Sequence, residues 1–355
     1  MPQLGARITL ALLELENIAH EYRRGGILGG STANRVLHGI SLELVAGATV
    51  ALVGESGCGK TTLGKIVADL VRPSEGRVVF DGKAISDMSR SEYATFRRSV
   101  QFIHQEPYAS LNPTSTVGRI LEAPLKAHGI TKNRREGHAR VGELLETVGL
   151  SPVDDFRDKY PHQLSGGQRQ RVSIARSITL DPRVIVADEA VSMVDVSLRI
   201  ELLDLLLDLQ RRLGIAYVFV SHDFGVVRYF ARNHRTAVMY LGHIVELGDT
   251  DDIIQRPEHP YTRALLAAVP VPDPDAHDLA RPLPLIDSEP PANSSAIPGC
   301  KFHPRCLYAV GACRESIPPL EDSGANPDHV TACFLAGTLQ HAAAETTPEV
   351  RTVRR

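Results

Sequence analysis

Three groups of residues have the types and spacing to do chemistry. Gly54-Glu55-Ser56-Gly57-Cys58-Gly59-Lys60-Thr61 fits the phosphate-loop pattern G-x-x-x-x-G-K-[ST], with Thr62 next. Glycines let backbone N–H groups turn toward a phosphate, and a following helix points its positive end at the same place. Lys60 can reach the β- and γ-phosphates, and the Thr61 hydroxyl can ligate Mg²⁺. Cys58 stands at a variable position of the loop and has no assigned chemistry. The second group is Asp188-Glu189, delivered by the apolar run 184–187, with His222 delivered in the same way by the run 216–220 and Ser221. The Asp of such a run holds Mg²⁺, and a carboxylate one residue on can act as general base for an attacking water. The third group is Cys300, Cys306, Cys313 and Cys333.

The gaps between these four cysteines are 5, 6 and 19 residues. Zinc ribbons use tighter hairpins. Four thiolates in a loop-like, proline-rich segment can hold an iron–sulfur cluster. A zinc ion helped by His303 or His329, and plain reduced thiols, stay open as alternatives. No segment reaches the roughly 18 apolar residues of a membrane-spanning helix. The best early stretch, 8–13, is followed by Glu14 and is too short for a signal peptide. The chain is therefore expected to be cytosolic, where thiols are normally reduced and a disulfide framework is unexpected.

These residues need elements to position them. The 355 residues suggest two domains, at about 150 residues each. Lys+Arg number 39 and Asp+Glu 42, a net charge of −3, which argues against a nucleic-acid coat protein. Hydrophobic residues make up 43%, which excludes wholesale disorder. Tryptophan is absent, so packing rests on Leu, Val, Ile and Ala. Short β-branched runs alternate with longer helical patterns, which predicts an α/β fold around a mostly parallel sheet. The runs 49–53, 184–187 and 216–220 read as strands buried on both faces, each ending in polar residues. Ligands bind at the carboxyl ends of such strands, so the three ends outline one site. A helix is predicted over 62–70 and another over 168–179. Leu202, Leu205, Leu206, Leu209 and Leu213 read as a core-facing stripe. From about residue 255 prolines crowd in, which predicts a boundary between a domain over 1–255 and an irregular one over 256–355. The last dozen residues read as a frayed tail.

Leu164-Ser165-Gly166-Gly167-Gln168 narrows the family. With the phosphate loop, Asp188-Glu189 and His222 in this order, the chain resembles the ATP-binding cassette family, whose signature motif is LSGGQ. The resemblance implies a RecA-like core with a helical subdomain over about 106–180, and a small irregular C-terminal domain. It also implies roles. Two cassettes sandwich two MgATP, and Ser165, Gly166, Gly167 and Gln168 serve the γ-phosphate held by the partner cassette. Tyr22 stacks on adenine. Gln105, in Phe102-Ile103-His104-Gln105, senses Mg²⁺ and water and links to the transmembrane partner. His222 contacts the γ-phosphate, and Asp195 belongs to the loop Ser192-Met193-Val194-Asp195. The family's common form there is S-A-L-D, so Met193 and Val194 depart from it. Ala190 stands where the family usually has proline.

Three further segments sharpen the resemblance: Glu106-Pro107-Tyr108-Ala109-Ser110-Leu111-Asn112-Pro113, then Asp223-Phe224-Gly225-Val226-Val227-Arg228-Tyr229, then His259-Pro260-Tyr261-Thr262-Arg263-Ala264-Leu265-Leu266. They are similar to ATPase subunits of the oligopeptide/dipeptide/nickel importers. This implies a peripheral protein on the cytoplasmic face of the cell membrane. Its partners would be two transmembrane permease subunits, a second ATPase subunit of the same or another kind, and an extracellular solute-binding protein, with no nucleic acid. Oligosaccharides or nickel are alternative cargoes. Gly299-Cys300-Lys301-Phe302-His303-Pro304-Arg305-Cys306 resembles the segment that opens a four-cysteine [4Fe–4S] site in this subfamily. Two other classes compete. A soluble cassette ATPase acting on DNA or ribosomes usually has two cassettes or a coiled-coil insertion. A non-hydrolysing regulatory cassette would not keep Lys60, Asp188, Glu189 and His222 together.

Overall fold

Alternating apolar residues open the chain as two long strands. The computed structural model describes residues 11–25, 31–106, 110–269, 285–287, 297–322, 324 and 326–338. Parts of two quoted segments, 107–109 among them, and the tail lie outside these residues. The chain divides into two compact units, Met1–Leu52 with Gly59–His222, and Val53–Cys58 with Asp223–Arg355.

In the first unit, β1 (Ala11–Gly25) pairs antiparallel with β2 (Ser31–Val45). Leu15 opposes Leu42 and Ile18 opposes Ile40, and all four are buried. β3 (Thr49–Val53) and the helix α1 (Lys60–Val67) flank the phosphate loop in sequence. β4 (Glu75–Phe80) pairs with the other edge of β1, and β5 (Lys83–Ala84) extends it, in the order β2-β1-β4-β5. α2 (Arg90–Ser99) leads into β6 (Val100–Ile103). Of the helices that follow, α3 (Val117–Ala127), α4 (Arg134–Thr147) and α5 (Gly166–Ser177) pack on one another, with a single helical turn at Asp154–Arg157 between the last two. Thr116, Asn133 and Ser165 cap their first turns through side-chain oxygens.

β7 (Val184–Asp188) and β8 (Ala216–Ser221) are buried along their whole length. The neighbour order in this unit is β3-β8-β7-β6, with β6, β7 and β8 parallel. α1 packs on β7 and β8, and Gly64 lets it come close to Val186. The long helix α6 (Val196–Leu213) corrects one expectation. Leu202, Leu206 and Leu209 are buried as expected, but Leu213 is 49% exposed. It is the last helical residue, before Gly214 in the left-handed conformation, and lies past the end of the packed face. Leu203, off the stripe, is buried instead.

In the second unit, α7 (Phe224–Phe230) precedes a hairpin of β9 (Arg235–Tyr240) and β10 (His243–Asp249). Its two-residue turn, Leu241-Gly242, has positive φ at both positions, which matches the twist of the flanking strands. α8 (Thr250–Gln255), α9 (Pro260–Ala267) and the short α10 (Gly311–Glu315) follow. β11 (Glu321–Asp322) and β12 (Val330–Thr331) add antiparallel pairs in the order β11-β12-β10-β9. Among the described residues, no helix is long and apolar enough to cross a membrane.

Candidate nucleotide site

The carboxyl ends of β6, β7 and β8 bring three of the anticipated residues together. Because β7 and β8 run parallel in register, Asp188 lies opposite Val220, and the amide of Glu189 donates to the Val220 carbonyl at 3.0 Å. Glu189 itself has φ of 45°, a left-handed turn that swings its side chain off the strand line. Gln105, two residues beyond β6, donates from Nε2 to Glu189 Oε2 at 2.8 Å. His222 Nδ1 lies 3.2 Å from Glu189 Oε1. Glu189 is therefore gripped at both oxygens, by one residue from each neighbouring strand end. The His222 side chain is 57% exposed and has room to turn.

Thr61 and Asp188 meet as well. The Thr61 hydroxyl donates to Asp188 Oδ1 at 3.0 Å. Burial pushes the Asp188 carboxyl up, and the charge of Glu189 adds to this, while the Thr61 hydrogen bond and the Lys60 and Lys65 charges oppose it. A buried carboxylate in that condition is stabilised by a nearby cation. Lys60 is buried at the start of α1. Gly59, just before it, has φ of 105°, which suits a residue without a side chain. Tyr22 is exposed on β1, with its hydroxyl 3.4 Å from the Thr62 hydroxyl and its ring edge-on to His20. An exposed ring beside the helix that follows the phosphate loop offers a flat apolar surface.

Ser165, Gly166, Gly167 and Gln168 form the start of α5. Ser165 Oγ accepts from the Gln168 amide at 3.2 Å, and Gln168 Oε1 accepts from the Ser165 amide at 3.0 Å. This reciprocal capping box frees the remaining first-turn donors to point outward. Ser165 is exposed, and a Cβ on Gly166 would meet nothing within 4 Å. Packing within this chain therefore does not require a glycine there. Asp195 is exposed at the start of α6 and makes no side-chain cap. Among the described hydrogen bonds none joins Ser165–Gln168 or Asp195 to Glu189, although Ser192, in the loop before Asp195, donates its amide and hydroxyl to the Glu189 carbonyl.

The first half of the phosphate loop belongs to the second unit. Gly54 is forced by packing, since a Cβ would fall 2.2 Å from the Met239 carbonyl oxygen. Cys58 is buried and its carbonyl accepts from the Gly242 amide at 2.9 Å. Ser56 and Gly57 are exposed. Glu55 is held by residues that sequence reasoning did not single out. Its amide donates to the Tyr261 hydroxyl at 2.8 Å, and its carboxylate takes both terminal nitrogens of Arg305. A second such residue is Glu246, wholly buried in β10, whose oxygens accept from the amides of Glu258 and His259 and from His329 Nε2. The available signal was a charge inside an apolar strand run, Ile244-Val245-Glu246-Leu247.

None of the five cysteines is in a disulfide. The four late ones sit near one another. The Cys300 amide donates to the Cys313 carbonyl at 2.9 Å, and a charge on Cys300 or Cys313 is felt at both Cys306 and Cys333. Burial pushes the Cys306 and Cys333 thiols up to about 11, and Cys300 upward too. Among the described residues, no group of three or more His, Cys, Asp or Glu is arranged to hold a single metal ion. Of the histidines of the zinc alternative, His329 Nε2 lies 2.7 Å from Glu246 Oε1 and His303 Nδ1 lies 2.8 Å from the Cys300 carbonyl, so one ring nitrogen of each is engaged.

Residues 37–192 match the family described as ABC transporter, and residues 245–313 match the oligopeptide/dipeptide transporter C-terminal region. The chain is 42% identical to a probable peptide ABC transporter ATP-binding protein, y4tS, of Sinorhizobium fredii, over 94% of each chain. It is 44% identical to a putative peptide import ATP-binding protein of Brucella ovis, over 91% of this chain and 97% of the relative. It is 39% identical to the putative oligopeptide transport ATP-binding protein YkfD of Bacillus subtilis, over 96% of this chain and 99% of the relative. Among solved structures it is similar to the ATP-binding cassette MJ0796 in a dimeric post-hydrolysis state bound to ADP and Pi. The TM-score is 0.59 at 29% identity, covering 67% of this chain and 98% of that one.

Proposed function

Because the chain belongs to the ABC transporter family of ATP-binding subunits, with the oligopeptide/dipeptide C-terminal region, we propose that it powers peptide import. It is an ATPase of that family. The observation that carries the hydrolytic reading is the double grip on Glu189 by Gln105 and His222, beside the Thr61–Asp188 pair. We assign the roles as follows. The backbone amides of residues 54–59 and Lys60 bind the phosphates, and Tyr22 receives the adenine. Thr61 and Asp188, which already meet, would hold Mg²⁺ together with Gln105, because hydroxyl, carboxylate and amide oxygens are its preferred donors. When bound, the ion supplies positive charge at the phosphate oxygens. Glu189 orients a water and takes its proton at Oε1 or Oε2, which is why its oxygens must be aimed. His222 turns from Glu189 to the γ-phosphate. Ser165, Gly166, Gly167, Gln168 and Asp195 serve the nucleotide of a second cassette, and the open surface at Gly166 supports this.

The partners follow from that reading: a second ATPase subunit, two permease subunits and a solute-binding protein, with the chain on the cytoplasmic face. The peptide cargo rests on the relatives' names, and oligosaccharides or nickel are the alternatives. The test is ATPase turnover in membranes holding the permease, with peptide-loaded binding protein added. Peptide should stimulate wild type. Glu189→Gln should keep ATP binding and lose about 10²–10⁴-fold in kcat, the usual worth of a general base. Normal turnover in that variant would remove Glu189 from the base role, and stimulation by sugar or nickel alone would replace the cargo.

We also propose that Cys300, Cys306, Cys313 and Cys333 hold a [4Fe–4S] cluster. Four free, mutually close, desolvated thiols support it, and a cluster needs wider ligand spacing than one ion. Burial raises the Cys300, Cys306 and Cys333 thiols, so these three stay protonated at neutral pH until a cation displaces the protons. Bound there, the cluster would supply a cross-link to an irregular segment. Protein purified without oxygen should contain iron and sulfide and absorb broadly near about 400 nm. Colourless protein with one zinc per chain would overturn this.

A further inference from the structure

Arg305 is 2% exposed, yet its charge ends on a residue of the phosphate loop. Its two terminal nitrogens donate to Glu55 Oε2 and Oε1 at 2.8 and 2.9 Å, a bidentate fork. Its Nε donates to the Asp287 carbonyl at 3.0 Å, and its guanidinium lies over the Tyr240 and Phe302 rings. Tyr261 completes the enclosure. Its buried ring packs on Tyr240 and Phe302, and its hydroxyl accepts from the Glu55 amide at 2.8 Å. Both the peptide plane and the side chain of Glu55 are thus held by residues of the C-terminal segment. One residue earlier, Gly54 is pressed against the Met239 carbonyl.

A phosphate loop works only if its amides already point at the ligand. Rigidifying a loop in its bound shape raises affinity by lowering the ordering cost of binding. A carboxylate in the loop also repels phosphates unless a cation offsets it. We propose that Arg305 is a positioning residue for nucleotide binding: it orients the 54–56 stretch of the loop and neutralises Glu55 beside the phosphates. The extension carrying the cysteines would thereby set ATP affinity, since Arg305 adjoins Cys306 in sequence. This rests on the nucleotide reading of the loop given above.

The test uses the full chain, measuring ATP Kd together with kcat and KM for wild type, Arg305→Gln, Arg305→Lys, Glu55→Gln and the double Glu55→Gln/Arg305→Gln. Arg305→Gln and Glu55→Gln should each raise Kd and KM about tenfold, with kcat at saturating ATP within about twofold. The double variant should be no worse than either single, because both remove one constraint. Arg305→Lys should fall between, since an ammonium keeps the charge and loses the fork. A purely structural staple would lower the unfolding temperature and leave Kd where it was, and that result overturns the proposal. If Arg305→Gln does not fold, Glu55→Gln decides alone, because it conserves shape in the loop. Wild type failing to bind ATP would instead overturn the nucleotide reading itself.

Discussion

Glu189 and Glu246 are both carboxylates on sheet strands or at their ends, and their surroundings suit opposite ends. Glu189 is partly open, held by the side chains of Gln105 and His222, as the proposed general base requires. Glu246 is wholly buried and saturated by two backbone amides and His329. Burial works to lower the His329 pKa, but the Glu246 hydrogen bond and charge outweigh it and hold it above its ordinary value. A group whose folded pKa is raised contributes stability that is fully present below its unfolded pKa and is lost as pH rises through the folded one. Wild type should therefore exceed His329→Gln in denaturant-unfolding stability by about 1–3 kcal/mol near about pH 6, shrinking toward about pH 9. A gap that stays constant over that range would remove the imidazolium charge from the account. By contrast, burial drives neighbouring His259 down to about 4, so it stays neutral and caps α9 through Nδ1.

At the scale of elements, helix starts do the positioning. The α5 box ties Ser165 to Gln168 by two reciprocal bonds, which aligns the glycine turn without help from the rest of the core. Ser165→Ala should lower unfolding stability by about 1 kcal/mol, the usual worth of such a cap, and leave the fold intact. A circular dichroism melt reads this, and an unchanged midpoint would show that the box adds nothing. The buried strands were readable in sequence because a strand covered on both faces must be apolar throughout. Leu213 was misread for a related reason. Helical periodicity tells which residues share a face but not where the packed face stops, and Gly214 ends the helix just past its last buried turn.

For the whole molecule, the change in composition near residue 255 and the compact units are different boundaries. Proline content reports where regular structure thins. The units report what packs together, and within the second unit Glu246 of β10 is buried against His329. The local structure at the phosphate loop, at Asp188-Glu189 and at the LSGGQ turn was readable from residue order alone. In each, a few adjacent residues dictate a turn, a strand end or a helix cap, and those few carry the reactive groups. The hold on Glu55 could not be read so. Arg305 lies 250 residues further along, and nothing local to either residue records that they meet. Only the folded chain, setting Tyr240 and Phe302 against the guanidinium and Tyr261 against those rings, removes it from water and brings it to Glu55.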